Sequence, residues 1–264
     1  MNKAEKAVIE IKQIDELADG NSYLHHISPL SKLVVTLAYL LFVMSCPKYA
    51  FSTVLLFILY PISMYAIADL SLWQALKRMR FILPLIIFVN ILNPFFDQQI
   101  LLQIGGFPLT GGIISFITTI LKGILVLWAS YLLVATTKMD ALCQALRQLH
   151  IPKILVSLFL LTYRYLGLMM EEVSRMSEAY YLRAPDQKGI HISAWGSFLG
   201  QLLLRSMDRA TEIFHAMKLR GYIGEYRLME KEYPPAYLYF FGWLCMFVLF
   251  RLGILAEWIG GIFL

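Results

Sequence analysis

Two arginines carry the clearest chemical signal in this chain. Each follows a leucine at the end of a charged helical stretch, in Leu182-Arg183-Ala184 and Leu219-Arg220-Gly221. A guanidinium is a planar fork of donors that grips a carboxylate in a directed way, which a lysine ammonium cannot match. At a helix C-terminus it also meets the negative end of the helix dipole, worth about 0.3–1 kcal/mol. One such arginine is ordinary helix-end electrostatics. Two, at matching ends of consecutive helices, point to recognition of a soluble partner. That is binding chemistry, and no bond is made or broken by it.

No other constellation supports a reaction, so an enzyme is not expected. The phosphate-cradling pattern GxxxxGK[ST] is missing. The nearest stretch, residues 106–111, continues into Gly112-Ile113 without a lysine, so ATP is not expected to bind here. HExxH, GxSxG and a membrane-embedded aspartate pair are absent as well. His25 and His26 are adjacent, which on a helix points them about 100° apart, and no third ligand lies nearby. His150, His191 and His215 are isolated, and Cys46, Cys143 and Cys245 show no CxxC or paired spacing. No catalytic residue, metal ligand or cofactor is therefore assigned, and no nucleic-acid partner is expected.

The elements that must hold the two arginines are mostly membrane. Of 264 residues, 59% are hydrophobic and 16% charged, against roughly 25% charged in a soluble domain; the mean hydropathy is +0.64. Glu5, Glu10, Asp15, Glu16 and Asp19 make the N-terminus too acidic for a secretory signal. Since a crossing helix needs about 20 largely apolar residues, spans are expected at residues 33–45 with their flanks, 50–68, 81–96, 112–136 and 236–256. Pro84 enters the third early enough to kink it without breaking it. The fold class is thus an all-α integral membrane protein with about five transmembrane helices and long cytoplasmic helices.

Basic residues orient the spans. Lys77, Arg78 and Arg80 place the turn after the second span in the cytoplasm, and the basic-free loop with Asp97 and Gly105-Gly106 outside. Residues 137–235, with thirteen lysines and arginines, return to the cytoplasm. The N-terminus is then cytoplasmic and the C-terminus external, with Lys48 dissenting on the outer side. The organisation reads as a cytoplasmic segment (1–32), spans one to four (33–136), cytoplasmic helices (137–235) and a final span (236–264).

Within the cytoplasmic stretch, residues 140–149 form a short amphipathic helix stopped by Pro152. A longer helix runs from Lys153 to about Leu182 and carries Glu171 and Arg175 at i, i+4 in the favourable order. Its apolar start, residues 154–162, is bracketed by Lys153 and Arg164, about half the length of a crossing, so a buried or interfacial helix is expected there. Residues 186–189 form a polar turn. A third helix spans residues 193–219 and ends at Gly221, which suits a left-handed cap. Its face of Trp195, Leu199, Leu202, Ser206, Ala210, Ile213 and Met217 recurs at helical spacing. Gly196 and Gly200 would permit a close helix crossing.

Lys122 and Arg251 lie inside spans, where a charge is costly and faces a bundle interior or snorkels to the interface. Arg251, near the outer end, reads as snorkelling. For Lys122 both readings are open, with Asn90 and Asn93 as polar company.

The chain resembles the transmembrane (T) component of energy-coupling-factor transporters, in its cobalt-type CbiQ branch. The resemblance rests on three stretches. Ile14-Asp15-Glu16-Leu17-Ala18 continues into His25-His26-Ile27-Ser28-Pro29-Leu30-Ser31-Lys32-Leu33. Ile151-Pro152 is followed by Tyr163-Arg164-Tyr165 and Glu171-Glu172. Leu204-Arg205-Ser206-Met207-Asp208-Arg209-Ala210 leads into Ala216-Met217-Lys218-Leu219-Arg220-Gly221-Tyr222. The family's coupling motif is usually Ala-Arg-Gly. Leu182 and Leu219 replace its alanine, and Ala184 replaces the first motif's glycine.

The resemblance implies a non-catalytic coupling subunit in the plasma membrane of a prokaryote. Two ABC ATPase subunits would bind ATP and seat Arg183 and Arg220 in acidic grooves. A separate substrate-binding membrane subunit would carry the cargo, cobalt ion in this branch, a supply step for cobalamin biosynthesis. A T component for nickel or a vitamin would look alike. An independent channel or secondary transporter built on Lys122 and the Asn90/Asn93 region is the alternative from another class, although the internal repeats common in such folds are not seen.

Overall fold

The computed structural model describes residues 9, 13, 15–80, 82–91, 100–104, 107–185, 189–224, 233–234 and 236–252. Asn93, Asp97, Gly105, Gly106, the turn at 186–188 and the last residues of the final expected span lie outside these. The chain divides into two compact units, one of residues 18–138 and 232–264, the other of residues 1–17 and 139–231.

The first, apolar unit holds α1 (Tyr23–His26), α2 (Pro29–Ser45), α3 (Phe51–Leu56), α4 (Leu59–Ile67), α5 (Leu72–Met79), α6 (Leu83–Asn90), α7 (Gly111–Thr136) and α11 (Tyr237–Arg251). Helix α2 starts with Pro29, where a missing N–H costs nothing because it would have no intrahelical partner. The core is aromatic: Tyr39, Phe57, Tyr60 and Phe247 are fully buried. The Tyr39 ring lies 4.6 Å from Tyr60 and 5.4 Å from Phe247.

The expected second span is two helices. Pro61 has no N–H to offer the carbonyl of Phe57, four residues back, and α3 and α4 part at Phe57 and Ile58. The Tyr39 hydroxyl donates to that Phe57 carbonyl at 2.9 Å, so the break is satisfied from α2. Asp69 follows with φ 54°, and the Leu70 N–H reaches the Tyr65 carbonyl at 3.1 Å, a left-handed closure of α4. Between α6 and α7 the outer loop of the sequence reading contains a hairpin, β1 (Ile100–Ile104) against β2 (Phe107–Thr110), antiparallel with Ile104 opposite Phe107.

Helices α2 and α7 run antiparallel and exchange lysines. The buried Lys32 ammonium donates to the Thr136 carbonyl at 2.8 Å. The buried Lys122 ammonium, on α7, donates to the carbonyl of Cys46, the C-cap of α2. Arg251 donates to the adjacent Ser45 carbonyl at 3.2 Å. Of the two readings for Lys122, the interior one holds, and its partner is a helix end. Asn90 donates to the Ile86 carbonyl on its own helix.

The second unit holds α8 (Met139–Gln148), α9 (Lys153–Arg183) and α10 (Ile192–Leu219). Its small core is Cys143, Val156 and Leu160, with Met139, Leu146 and Ile151 packed around them. His150 takes φ 63°, and the Ile151 N–H returns to the Leu146 carbonyl at 3.3 Å. A left-handed histidine thus closes α8 immediately before Pro152. The Tyr163 hydroxyl donates to Asp15 at 2.5 Å, fastening the N-terminal segment to α9.

By length and composition, α7 and α9 could each cross a membrane; Pro29–Ser45, residues 51–67 and Tyr237–Arg251 are shorter apolar helices. The architecture is that of a helical membrane protein.

Candidate functional site

Arg183 is the last residue of α9, and Arg220 is the C-cap of α10. Both are exposed, and so are the leucines before them, Leu182 at 85% and Leu219 at 91%. A leucine left this bare beside a guanidinium gives each tip an apolar contact and a directed cation.

The two tips are built differently. After Arg220, Gly221 takes φ +84°, its N–H reaches the Lys218 carbonyl at 3.0 Å, and the Tyr222 N–H reaches Met217 at 3.0 Å. This is the left-handed Schellman closure, and it needs glycine. At the other tip Ala184 has φ −135° and ψ 66°, and its N–H returns to the Tyr180 carbonyl. That φ is negative, so the left-handed freedom that glycine supplies is not required at Ala184.

Sequence spacing placed the arginines on similar ends but said nothing of the distance between them. The His191 N–H donates to the Tyr180 hydroxyl at 3.3 Å, which sets the start of α10 beside the end of α9. His191 also caps α10, its Nδ1 accepting from the Ser193 N–H at 3.4 Å. Arg183 consequently lies near the first turn of α10, and Arg220 at its far end. Over 28 residues at about 1.5 Å each, α10 sets the tips about 42 Å apart.

Ion pairs stiffen the helices behind the tips. Arg205 of α10 donates to the Glu172 carboxylate of α9. Arg175 lies 3.9 Å from Glu171 and 3.8 Å from Glu172. The expected i, i+4 pair is present, and Glu172, missed in the sequence as a bridge between helices, is the more connected carboxylate.

Helix α10 buries no residue. Leu202, Ser206, Ile213 and Met217 of its expected apolar face are half-buried, whereas Trp195, Leu199 and Ala210 are exposed. A Cβ added at Gly196 or Gly200 would meet open space, so neither glycine admits a close crossing within the described residues. His25 and His26 serve their local turn: His25 Nδ1 lies 2.7 Å from the Ser22 hydroxyl, and His26 Nε2 3.2 Å from the Asn21 side-chain oxygen.

The family model for CbiQ, described as a cobalt transport protein, matches residues 20–231, which include both leucine–arginine tips. The chain belongs to this family. Three relatives of the CbiQ-family chain are each named energy-coupling factor transporter transmembrane protein EcfT. That of Leuconostoc gelidum subsp. gasicomitatum is 25% identical, over 79% of this chain and 83% of its own length. That of Streptococcus equi is 27% identical, over 80% and 85%. That of Thermosediminibacter oceani is 25% identical, over 80% and 84%.

Proposed function

We propose that this chain is the transmembrane coupling subunit of an ATP-driven importer of the energy-coupling-factor type. It makes and breaks no bond; two ABC ATPase subunits bind the nucleotide. One seats the Arg183 tip and the other the Arg220 tip, each in an acidic groove. The observation that carries this reading is the geometry of α10, a long helix with no fully buried residue and with an exposed leucine–arginine tip near each end.

ATP-driven approach of the two ATPases then acts on both ends of one lever. The exposed apolar residues of α10, among them Trp195, Leu199 and Met207, face a separate substrate-binding membrane subunit and pass the motion on. The cargo we assign is cobalt ion, following the family's description; nickel or a vitamin would be handled by the same coupling surface. The chain sits in a prokaryotic plasma membrane with its N-terminus inside, crossing five times. The antiparallel course of α2 and α7 agrees with spans one and four running in opposite directions. Helix α9 carries Arg164, Glu171, Glu172 and Arg175 along its middle, which suits an interfacial position better than a crossing.

A channel reading loses its main support, because Lys122 is engaged by the end of α2. The test is co-purification of the cognate ATPase pair, in detergent, with wild type and with Arg183→Ala/Arg220→Ala. Retention by the first and loss by the second is expected. A wild-type chain that brings down no ATPase would sink the coupling reading.

A further inference from the structure

Helix α5 lies between the expected second and third spans, and its two faces are unlike. Ala75 and Met79 are buried, Leu72 packs against the aromatic core, and Leu76 is half-buried. The other side carries Trp73, 73% exposed, and the exposed Lys77 four residues on. Arg80, exposed just past the helix end, continues the same stripe at i+7. Arg78 leaves that stripe for the ring of Tyr131 on α7, 5.9 Å from its centroid, a cation–π distance.

A tryptophan this bare beside two cations suits neither water nor hydrocarbon alone. Its ring favours the headgroup level of a bilayer, where an apolar body and a polar N–H are both served. The neighbouring helices agree with that depth. Before α5, α4 exposes Leu59 and Ile62; after it, α6 exposes Leu85, Phe88 and Val89, apolar surfaces that suit acyl chains. The charge is one-sided as well. Between Asp19 and Asp97 the sequence has a single acidic residue, Asp69, which takes φ 54° in the turn between α4 and α5. Helix α5 itself carries no carboxylate. Its outward face is therefore complementary to a surface of negative charge with hydrocarbon directly behind it.

We propose that α5 is an interfacial helix that binds anionic phospholipid, with Trp73 at the headgroup–acyl boundary and Lys77 and Arg80 on headgroup phosphates. An amphipathic helix with an aromatic anchor and basic residues binds a lipid surface by apolar burial plus attraction to anionic headgroups. Each cation near such a surface enriches anionic lipid by up to about fivefold. A zwitterionic headgroup gains less, because its own ammonium opposes the attraction. The inference rests on the membrane placement of spans two and three proposed above, and is independent of the ATPase contacts at Arg183 and Arg220.

The test uses the full chain in phosphatidylcholine nanodiscs doped with the same minor fraction of brominated phosphatidylglycerol or brominated phosphatidylcholine. Bromine quenches nearby tryptophan, and the difference between wild type and Trp73→Phe isolates Trp73. The brominated phosphatidylglycerol should quench Trp73 at least about twofold more than the brominated phosphatidylcholine, and that excess should shrink as salt is raised. Lys77→Gln/Arg80→Gln should abolish the excess and leave quenching by phosphatidylcholine unchanged. Arg78→Gln, on the Tyr131 side, should keep it. Equal quenching by the two lipids in wild type would overturn the proposal, whether or not any variant folds. An excess that survives Lys77→Gln/Arg80→Gln, or is lost equally in Arg78→Gln, would overturn it as well. A Trp73 quenched by neither lipid would leave this face to a protein partner, again against the proposal. Failure of the membrane placement shows separately, as absence of lipid quenching of the remaining tryptophans in Trp73→Phe.

Discussion

Lys32 and Lys122 stand near opposite ends of one antiparallel helix pair, each donating its ammonium to the terminal carbonyl of the other helix. Both are buried, and each meets the negative pole of a helix dipole. The arrangement turns two charges that would be expensive in lipid into the fastenings of the α2–α7 pair.

For Lys122 this predicts a stability effect. Lys122→Met leaves the Cys46 carbonyl without its donor, at a cost of about 1–3 kcal/mol. Lys122→Glu sets a carboxylate against carbonyl oxygens and should cost about 3–5 kcal/mol, as for a broken buried pair. Thermal melting in detergent measures both. A Lys122→Met chain as stable as wild type would contradict the assignment.

Arg183 and Arg220 lie too far apart to share a socket, so their contributions should be independent. Each single alanine variant should weaken ATPase binding by about 2 kcal/mol or more, or about thirtyfold. The double variant should lose the sum to within about 0.5 kcal/mol. Arg→Lys at either position keeps the charge and loses the fork, so it should recover only part of the affinity. Titration of the purified ATPase pair onto immobilised chain gives the numbers; a strong coupling energy between the sites would refute the two-socket geometry.

The left-handed closures predict opposite outcomes for glycine. Gly221→Ala forces a methyl group into φ +84°, costing about 1–2 kcal/mol, and should fray the turn that aims Arg220. His150 already carries that strain at φ 63°, so His150→Gly should relieve up to about 1 kcal/mol. Ala184→Gly should change ATPase binding little, since φ −135° asks nothing special of its residue. Melting curves of the three variants, with ATPase binding for the first and last, decide the matter.

What the sequence made legible was what repeats locally. Apolar runs located the helices, and the ends of α9 and α10 fell within a residue or so of expectation because Pro185 and Gly221 punctuate them. The break at Phe57 was signalled by Pro61, a proline inside an apolar stretch that length alone made look continuous. The hairpin at 100–110 was signalled by Gly105-Gly106 between apolar residues, although the segment read as a loop. The Lys32–Thr136 contact spans 104 positions and left no local trace, since a lysine at the start of a first span is unremarkable by the positive-inside rule. Nor could spacing show that α10 would hold the arginine tips apart. That depended on how α9 and α10 meet.

Glu172 and Arg205 give that meeting its polar tie. Because α10 buries no residue of its own, its stability within the chain depends on this pair, on the Tyr180–His191 contact and on its half-buried face. With the Arg205 side chain 53% and the Glu172 side chain 19% exposed, the pair is worth about 1 kcal/mol, so Glu172→Gln and Arg205→Gln should each speed amide exchange along α10 by about fivefold. The double variant should exchange no faster than Glu172→Gln alone, because that single change already removes the Arg205 contact along with the Arg175 one. The first turns of α9, anchored by Val156 and Leu160 against Cys143, should be unaffected. If exchange accelerated equally through α8 and the start of α9, the pair would be supporting the whole unit and the local account of α10 would fail. Binding of the ATPase pair to both tips should then slow exchange at the two ends of α10 in wild type and in the Glu172→Gln variant alike, since neither tip includes the bridge.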